Sequence, residues 1–184
     1  GLDVSTIGNA VLKETDDAYT VEGDGFSLTV NKATGLITDY TYDDTVLLTG
    51  ATPNYWRAKT NNDQNIDGKW ETANQNMQLK SLTAAASQDG KSVEIKASLG
   101  LNGVGDSTQD LVYTVYGSGE VQITATLHRD AEIGEMLSYG TELTLPRGYE
   151  NITWYGHGPQ ETFGDRNLGA PIGVYESTVS DSYF

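Results

Sequence analysis

Apolar and polar residues alternate with a period of two along much of the chain. In the clearest run, polar residues separate Val93, Ile95, Ala97 and Leu99. This alternation is typical of a β-strand that buries one face and exposes the other. It predicts a strand at 93–99 whose apolar face packs against a core.

Two further pairs of alternating segments are each separated by a short turn sequence, which predicts hairpins. The first pair is Phe26–Val30 and Leu36–Tyr42. The second pair is Gln109–Tyr116 and Glu120–Arg129. The glycines of the intervening Gly117-Ser118-Gly119 turn supply the positive φ angles that tight hairpins require.

Short strands are also predicted at Glu142–Leu145 and Ile152–Tyr155, and no segment carries a sustained 3.6-residue apolar period. Together with 21 glycines, these short alternating runs predict an all-β fold, an antiparallel β-sandwich with little helix. We expect a single domain over residues 1–184. Within it, residues 1–21 are the least patterned and are predicted to be a loosely attached polar lead-in.

Composition excludes several classes of partner. The 26 acidic and 11 basic residues give a formal net charge of -15, which repels nucleic acid and anionic membrane surfaces. The absence of cysteine excludes disulfides and thiol catalysis. No apolar run approaches the roughly 18 residues that span a bilayer, and the sequence begins without an export signal. Either the cytoplasm or the exterior of a bacterium is compatible with this composition.

One segment resembles the start of a calcium loop. Asp63, Asn65 and Asp67 occupy its first, third and fifth positions and Gly68 its sixth. The twelfth position, where such loops place a bidentate glutamate, holds Asn74. Aspartate, asparagine and glycine also stabilise ordinary turns, so we predict a polar turn and no metal site.

The two histidines give no catalytic pattern. His128 ends a predicted strand on the face opposite its apolar residues, and His157 lies between two glycines, where we predict a turn. No serine, histidine and acid stand at a spacing that indicates nucleophilic catalysis. The sequence therefore predicts no catalytic residue in this chain.

Aromatic residues are a possible sugar-binding feature. Sugar rings stack on aromatic faces, and the candidates are Trp56, Trp70 and Trp154. Burial in the core is the commoner use of tryptophan in a β-sandwich.

Three segments resemble, in order and separation, the last domain of the family 2 glycoside hydrolases, the β-galactosidase small-chain domain. Residues 53–63, PNYWRAKTNND, resemble the family segment P-x-x-W-R-A-P-T-D-N-D. Residues 156–166, GHGPQETFGDR, resemble G-x-G-P-x-E-x-Y-x-D-R, and 173–183 resemble G-x-Y-x-x-x-V-x-D-x-Y. The resemblance covers about 22–184, nearly the whole chain.

This resemblance implies a supersandwich similar to galactose mutarotase, and a supporting role in hydrolysis. In the family, the two catalytic glutamates lie on a separate TIM barrel, which is the implied partner of this chain. The implied ligand is a galactoside or another carbohydrate. No cofactor is implied for this part of the enzyme, because the magnesium and sodium ions of the family bind other domains.

The resemblance also assigns roles to individual residues. The loop after the first segment lines the rim of the active site; its candidate residues here are Asn62, Asp63, Gln64, Asn65, Asp67 and Trp70. The motif residues expected to be structural are Trp56, Arg57, Gly158, Pro159, Glu161, Asp165 and Arg166. This chain has Lys59 and Asn61 where the family usually has proline and aspartate, which implies a less rigid entry to the loop.

The third resemblance ends at the last residues of the chain, so we expect an incomplete sandwich. Its exposed strand edges predict self-association. Three alternatives remain open from the residues: a free-standing carbohydrate-binding module with aromatic platforms, an aldose-epimerase-like enzyme and a calcium-dependent adhesion module.

Overall fold

In the computed structural model of the chain, residues 6–159 and 167–182 are described. They form antiparallel β-strands and short 3-10 helices, with no α-helix in those two ranges. None of the helices in this part of the chain is long and apolar enough to cross a membrane. The chain divides into two compact units, of which the first ends at Thr144 and the second begins at Leu145.

The larger sheet of the first unit has seven strands. The strands are β1 (Val11–Glu14), β2 (Ala18–Gly23), β3 (Phe26–Asn31), β4 (Ile37–Tyr42), β5 (Thr45–Leu48), β6 (Gly50–Asn54) and β11 (Gly140–Thr144). Their order in the sheet is β1-β2-β3-β4-β6-β11, with β5 paired to β4. Residues 11–14 and 18–21, predicted as part of a loosely attached lead-in, belong to this sheet, and Val21 is fully buried.

The second sheet has four strands, β7 (Gln78–Ala86), β8 (Ser92–Gly100), β9 (Thr108–Tyr116) and β10 (Val121–His128). Their order in the sheet is β10-β9-β8-β7. Buried and less buried residues alternate along β8 and β9. The strands predicted in this region from alternation are confirmed.

The two sheets face each other across one apolar core. On the side of the larger sheet it includes Val21, Phe26, Leu28, Val30, Ile37 and Ala51, and on the other side Val93, Ile95, Leu99, Leu111, Tyr113 and Val115. The Tyr113 hydroxyl crosses the core and donates a hydrogen bond to the carbonyl oxygen of Gly35. The predicted all-β antiparallel sandwich is therefore confirmed.

Both predicted hairpin turns have backbone that requires glycine. Gly35, in the turn between β3 and β4, has a φ of +71°, and Gly119, between β9 and β10, has a φ of +89°. At Gly117 the constraint is a close backbone approach, since an added Cβ would lie 2.0 Å from the carbonyl oxygen of Gly8. Glycine adopts positive φ angles without steric strain, because it has no Cβ.

The second unit contains a two-stranded antiparallel ribbon of β12 (Asn151–His157) and β13 (Ile172–Thr178). Trp154 pairs with Tyr175 across it, and the two rings lie 5.5 Å apart between centroids. The predicted strand at 152–155 is confirmed.

Candidate functional site

The loop that follows β6 carries the predicted rim residues, and Tyr55 anchors its start. The Tyr55 ring is almost fully buried, and its hydroxyl donates a 2.9 Å hydrogen bond to Oε1 of Gln109. Burial raises the pKa of Tyr55 above its ordinary value. Nε2 of Gln109 donates to the hydroxyl of Tyr139 over 3.1 Å, and the Tyr139 ring stacks on Tyr55 at 6.0 Å between centroids. The loop therefore begins on a buried hydrogen-bond network.

Arg57, Thr60 and Asp63 close the next part of the loop into what we call the clasp. Nη1 of Arg57 donates to Oδ2 of Asp63 over 2.7 Å, and Nη2 donates to Oδ1 over 3.4 Å. The backbone N–H and the hydroxyl of Thr60 also donate to Oδ2, over 2.7 Å and 2.8 Å. In return, the backbone N–H of Asp63 donates to the carbonyl oxygen of Thr60. The clasp encloses the 3-10 helix Asn61–Asp63.

The clasp fixes the ionisation of Asp63. The hydrogen bond from Arg57, followed by those from Thr60, holds the pKa of Asp63 far below its usual range. Asp63 is only 8% exposed, and its carboxylate faces the protein. The Asp63 carboxylate binds the two ends of this turn together, while the adjacent Asn62 and Gln64 face the solvent.

Trp70 holds the far end of the loop. It is 1% exposed, lies 5.6 Å from Tyr55 between ring centroids and donates from Nε1 to the carbonyl oxygen of Gly134 over 2.9 Å. It belongs to a small second core, whose other buried members are Tyr55, Ala73, Leu101 and Val104. In this structure Trp70 has no face free for a sugar ring.

The other four predicted rim residues point outward. Asn62, Gln64, Asn65 and Asp67 are all exposed. The backbone N–H of Lys69 donates to Oδ1 of Asp67, and this hydrogen bond lowers the Asp67 pKa. Asp63 and Trp70 thus hold the loop, and the other four rim residues offer amide and carboxylate groups to solvent.

The calcium-like sequence forms a turn. Gly68 has a φ of +77°, as the sixth position of such a loop requires, but the Asp63 carboxylate is occupied by Arg57. Within residues 6–159 and 167–182, no group of three or more histidine, cysteine, aspartate or glutamate residues could hold a metal ion.

Two family-motif residues, Gly158 and Pro159, lie just after β12 in the second unit. The Gly158–Pro159 peptide bond is cis, and a Cβ added at Gly158 would lie 2.6 Å from the Tyr175 ring. In the first unit, Trp56 is half-buried, with the Lys59 ammonium 5.7 Å from its ring centroid. The remaining motif residues, Glu161, Asp165 and Arg166, lie outside the described residues.

Among the described residues, the hydrogen-bond contacts of the two histidine rings are with Asp110 and with the carbonyl oxygen of Ala170. Ser98 donates to Oδ1 of Asp110 over 2.7 Å, and Oδ2 of Asp110 lies 2.8 Å from Nε2 of His128. The aspartate stands between the other two residues, so the serine lacks the adjacent base that activation requires. His157 is predicted in a turn, which is wrong: it is the last residue of β12, and its Nδ1 contacts the carbonyl oxygen of Ala170.

Sequence reasoning did not identify Gln109, Gly134 or Tyr139 as part of this region. The alternation could have identified Gln109 as an inward residue, because it lies on the same face of β9 as the buried Leu111 and Tyr113. A glutamine at an inward position needs a buried polar partner. Gly134 and Tyr139 lie in an irregular segment, where no periodicity identifies them.

We expect Asp63→Asn to lower Tm by several degrees at neutral pH, because it replaces the ionised partner of Arg57. A carboxylate whose pKa is depressed on folding stabilises the protein above its unfolded pKa of about 3.9, and that stabilisation is lost as the pH falls through the lower folded value. The Tm difference between wild type and variant should be full above about pH 5 and shrink below about pH 4. Thermal denaturation from pH 2 to 7 measures it.

Asp24→Asn, which changes an exposed aspartate in the turn between β2 and β3, is the matched control and should show a much smaller difference. A Tm difference for Asp63→Asn that is constant across the pH range would contradict the role of the clasp.

Comparison with known proteins places the sequence beside one family. The sequence model described as beta galactosidase small chain matches residues 22–184. A β-galactosidase of Priestia megaterium (strain DSM 319 / IMG 1521) is 30% identical over 176 residues, which cover 91% of this chain and 16% of that protein. A β-galactosidase of Lactobacillus delbrueckii subsp. bulgaricus is 27% identical over 182 residues, covering 96% and 18%.

A third relative, a β-galactosidase of Clostridium acetobutylicum, is 27% identical over 165 residues, which cover 86% of this chain and 18% of that protein. The chain thus spans less than one fifth of the length of these relatives.

Proposed function

Because the chain belongs to the β-galactosidase small-chain family, we propose that it is a non-catalytic part of a larger β-galactosidase. In that enzyme it borders the galactoside-binding site, and a separate barrel domain hydrolyses terminal β-galactosides. The partner of this chain is therefore a catalytic domain, and its ligand is the galactoside held between them.

The observation that carries this proposal is the contrast between buried and exposed residues in the loop after β6. Asp63 and Trp70 are buried and hold the loop, whereas Asn62, Gln64 and Asn65 are exposed. Side-chain amides both donate and accept hydrogen bonds, as sugar hydroxyls do. A loop held by its own buried contacts can present such groups with little entropic cost on binding.

The electrostatics of the carboxyl groups support placing hydrolysis on another domain. Retaining hydrolysis needs a general acid of raised pKa and a nucleophile about 5 Å away. Among the described residues, every carboxyl group whose pKa departs from its ordinary value has a lowered pKa, as do Asp63, Asp67 and Asp110. That displacement is opposite to the one a general acid needs.

We expect the purified chain alone to hydrolyse no o-nitrophenyl β-galactoside above the buffer rate, because the two catalytic carboxyl groups of the family belong to another domain. Release of nitrophenol, monitored by absorbance, measures this, with the Priestia megaterium enzyme as positive control. Turnover that co-purifies with the folded chain would contradict the proposal.

A second candidate function is a free-standing carbohydrate-binding module. Exposed aromatic surface favours it, since Trp56 is half-buried and Tyr155 is 80% exposed. Calorimetric titration with galactose and lactose distinguishes the two functions. Millimolar or tighter binding that Trp56→Ala abolishes would favour the module. Trp70→Ala is not informative here, because that ring is buried.

A further inference from the structure

A second irregular segment, residues 130–138, is fastened to the loop after β6. We call residues 61–70 of that loop the rim loop and residues 130–138 the companion loop. Trp70, at the end of the rim loop, donates its indole N–H to the carbonyl oxygen of Gly134. The backbone N–H of Ser138 donates to the carbonyl oxygen of Tyr55, at the start of the loop after β6.

Apolar contacts reinforce these hydrogen bonds. Ile133 and Met136 of the companion loop pack against the second core, of which Trp70 is the largest member. Outside this core the loops also approach closely, because a Cβ added at Gly134 would lie 3.8 Å from Oδ2 of Asp67. A hydrogen bond, apolar packing and the approach of the Asp67 side chain to Gly134 therefore link the two loops.

The companion loop is also held at its start. The Asp130 carboxylate accepts hydrogen bonds from the backbone N–H groups of Asp106 and Glu132, and the backbone N–H of Asp130 donates to the Ser107 hydroxyl. The middle of the companion loop is exposed and includes Glu132 and Glu135. It lies between residues that hydrogen bonds hold at both ends, Asp130 and Ser138. It has the same organisation as the rim loop, in which buried contacts hold exposed polar groups.

We infer that the rim loop and the companion loop form one coupled unit, in which Trp70 and Gly134 are the positioning residues, so that the border of the galactoside site has two walls. That the unit faces a galactoside rests on the proposed function. The coupling itself depends only on the contacts between the loops. Motion or displacement of one loop is transmitted to the other through the Trp70–Gly134 hydrogen bond.

Amide hydrogen exchange of the whole chain tests the coupling. Trp70→Phe retains most of the apolar ring and removes the indole donor. We expect exchange by local opening to become about fivefold faster in both loops, the factor that one neutral hydrogen bond supplies, while the exposed turn between β2 and β3, which also opens locally, keeps its rates. Trp154→Phe also removes an indole hydrogen bond to a backbone carbonyl, that of His157, and should leave both loops unchanged.

A charge placed at Gly134 gives an independent test. Gly134 is exposed, so Gly134→Asp should fold but bring a second carboxylate near Asp67. At about 4 Å in water, repulsion between two carboxylates should make exchange in both loops about fivefold faster than in the wild type at low salt. In 1 M salt this increase should disappear. Gly134→Asn has the same size without the charge, and should exchange like the wild type.

The double variant Gly134→Asp, Asp67→Asn should restore the wild-type rates in both loops. Faster exchange in the companion loop alone, for either Trp70→Phe or Gly134→Asp, would overturn the coupling. These outcomes do not depend on any sugar. A failure of the coupling is therefore distinguishable from a failure of the proposed function, which hydrolysis assays test.

Discussion

Trp70→Ala should lower the free energy of unfolding of the first unit by about 3 to 5 kcal/mol, the usual cost of truncating a buried tryptophan. The ring is 1% exposed and packs against Tyr55, and its removal also deprives the Gly134 carbonyl of a donor. For a domain of this size, each kcal/mol lowers Tm by about 2 to 4 °C. A fall of roughly 6 to 20 °C is therefore expected in thermal denaturation.

Trp70→Phe is the matched control for this prediction, since it loses the indole hydrogen bond but fills most of the same space. Its cost should be closer to 1 kcal/mol. If Trp70→Ala instead melted like the wild type and only weakened sugar binding, the ring would be an exposed platform, and the account of the second core would be wrong.

Gln109→Leu should destabilise the chain by about 1 to 3 kcal/mol, although leucine has a similar size and is apolar. Gln109 is fully buried, and its Oε1 accepts the hydrogen bond of the Tyr55 hydroxyl. Without this acceptor, a buried hydroxyl is left unsatisfied and incurs its desolvation cost. Urea denaturation, analysed by linear extrapolation, measures the difference.

The double variant Tyr55→Phe, Gln109→Leu should recover much of this loss. Replacing both partners of a buried hydrogen bond by apolar groups of similar shape can be nearly neutral. If the two substitutions were additive in the double-mutant cycle, the hydrogen bond would not couple these residues.

Alternation revealed the strands that bury one face, and it failed where that period is broken. β8 and β9 keep a strict alternation, and the strands that it predicts end within one residue of the observed ends. Alternation does not predict β7, because its register shifts between Leu79 and Ser81. This irregularity moves the inward positions from Leu79 to Leu82 and Ala84, so no period of two runs through the strand. β1, β5 and β6 have only four or five residues each, too few for a pattern.

The sequence predicts the candidate site as a segment, but it does not predict the contacts that its residues make. The motif located the loop, yet Asp63 has the same local sequence context whether it faces solvent or Arg57. Its partner lies six residues earlier, and only the folded turn brings the two together. The partner of Trp70 is 64 residues away in an irregular segment. No local pattern indicates a contact of that kind.

A chimera tests the central claim most directly. In it, residues 22–184 replace the matching segment of the Priestia megaterium β-galactosidase, and Asn62, Gln64 and Asn65 are changed together to alanine. If these exposed amides border the galactoside site, KM for a nitrophenyl galactoside should rise at least about tenfold, since each lost hydrogen bond is worth about 1 kcal/mol. Changing three exposed residues of β10, Gln122, Thr124 and Thr126, to alanine should leave KM unchanged. A chimera without turnover, or an active one whose KM is the same with and without the loop substitutions, would contradict the account.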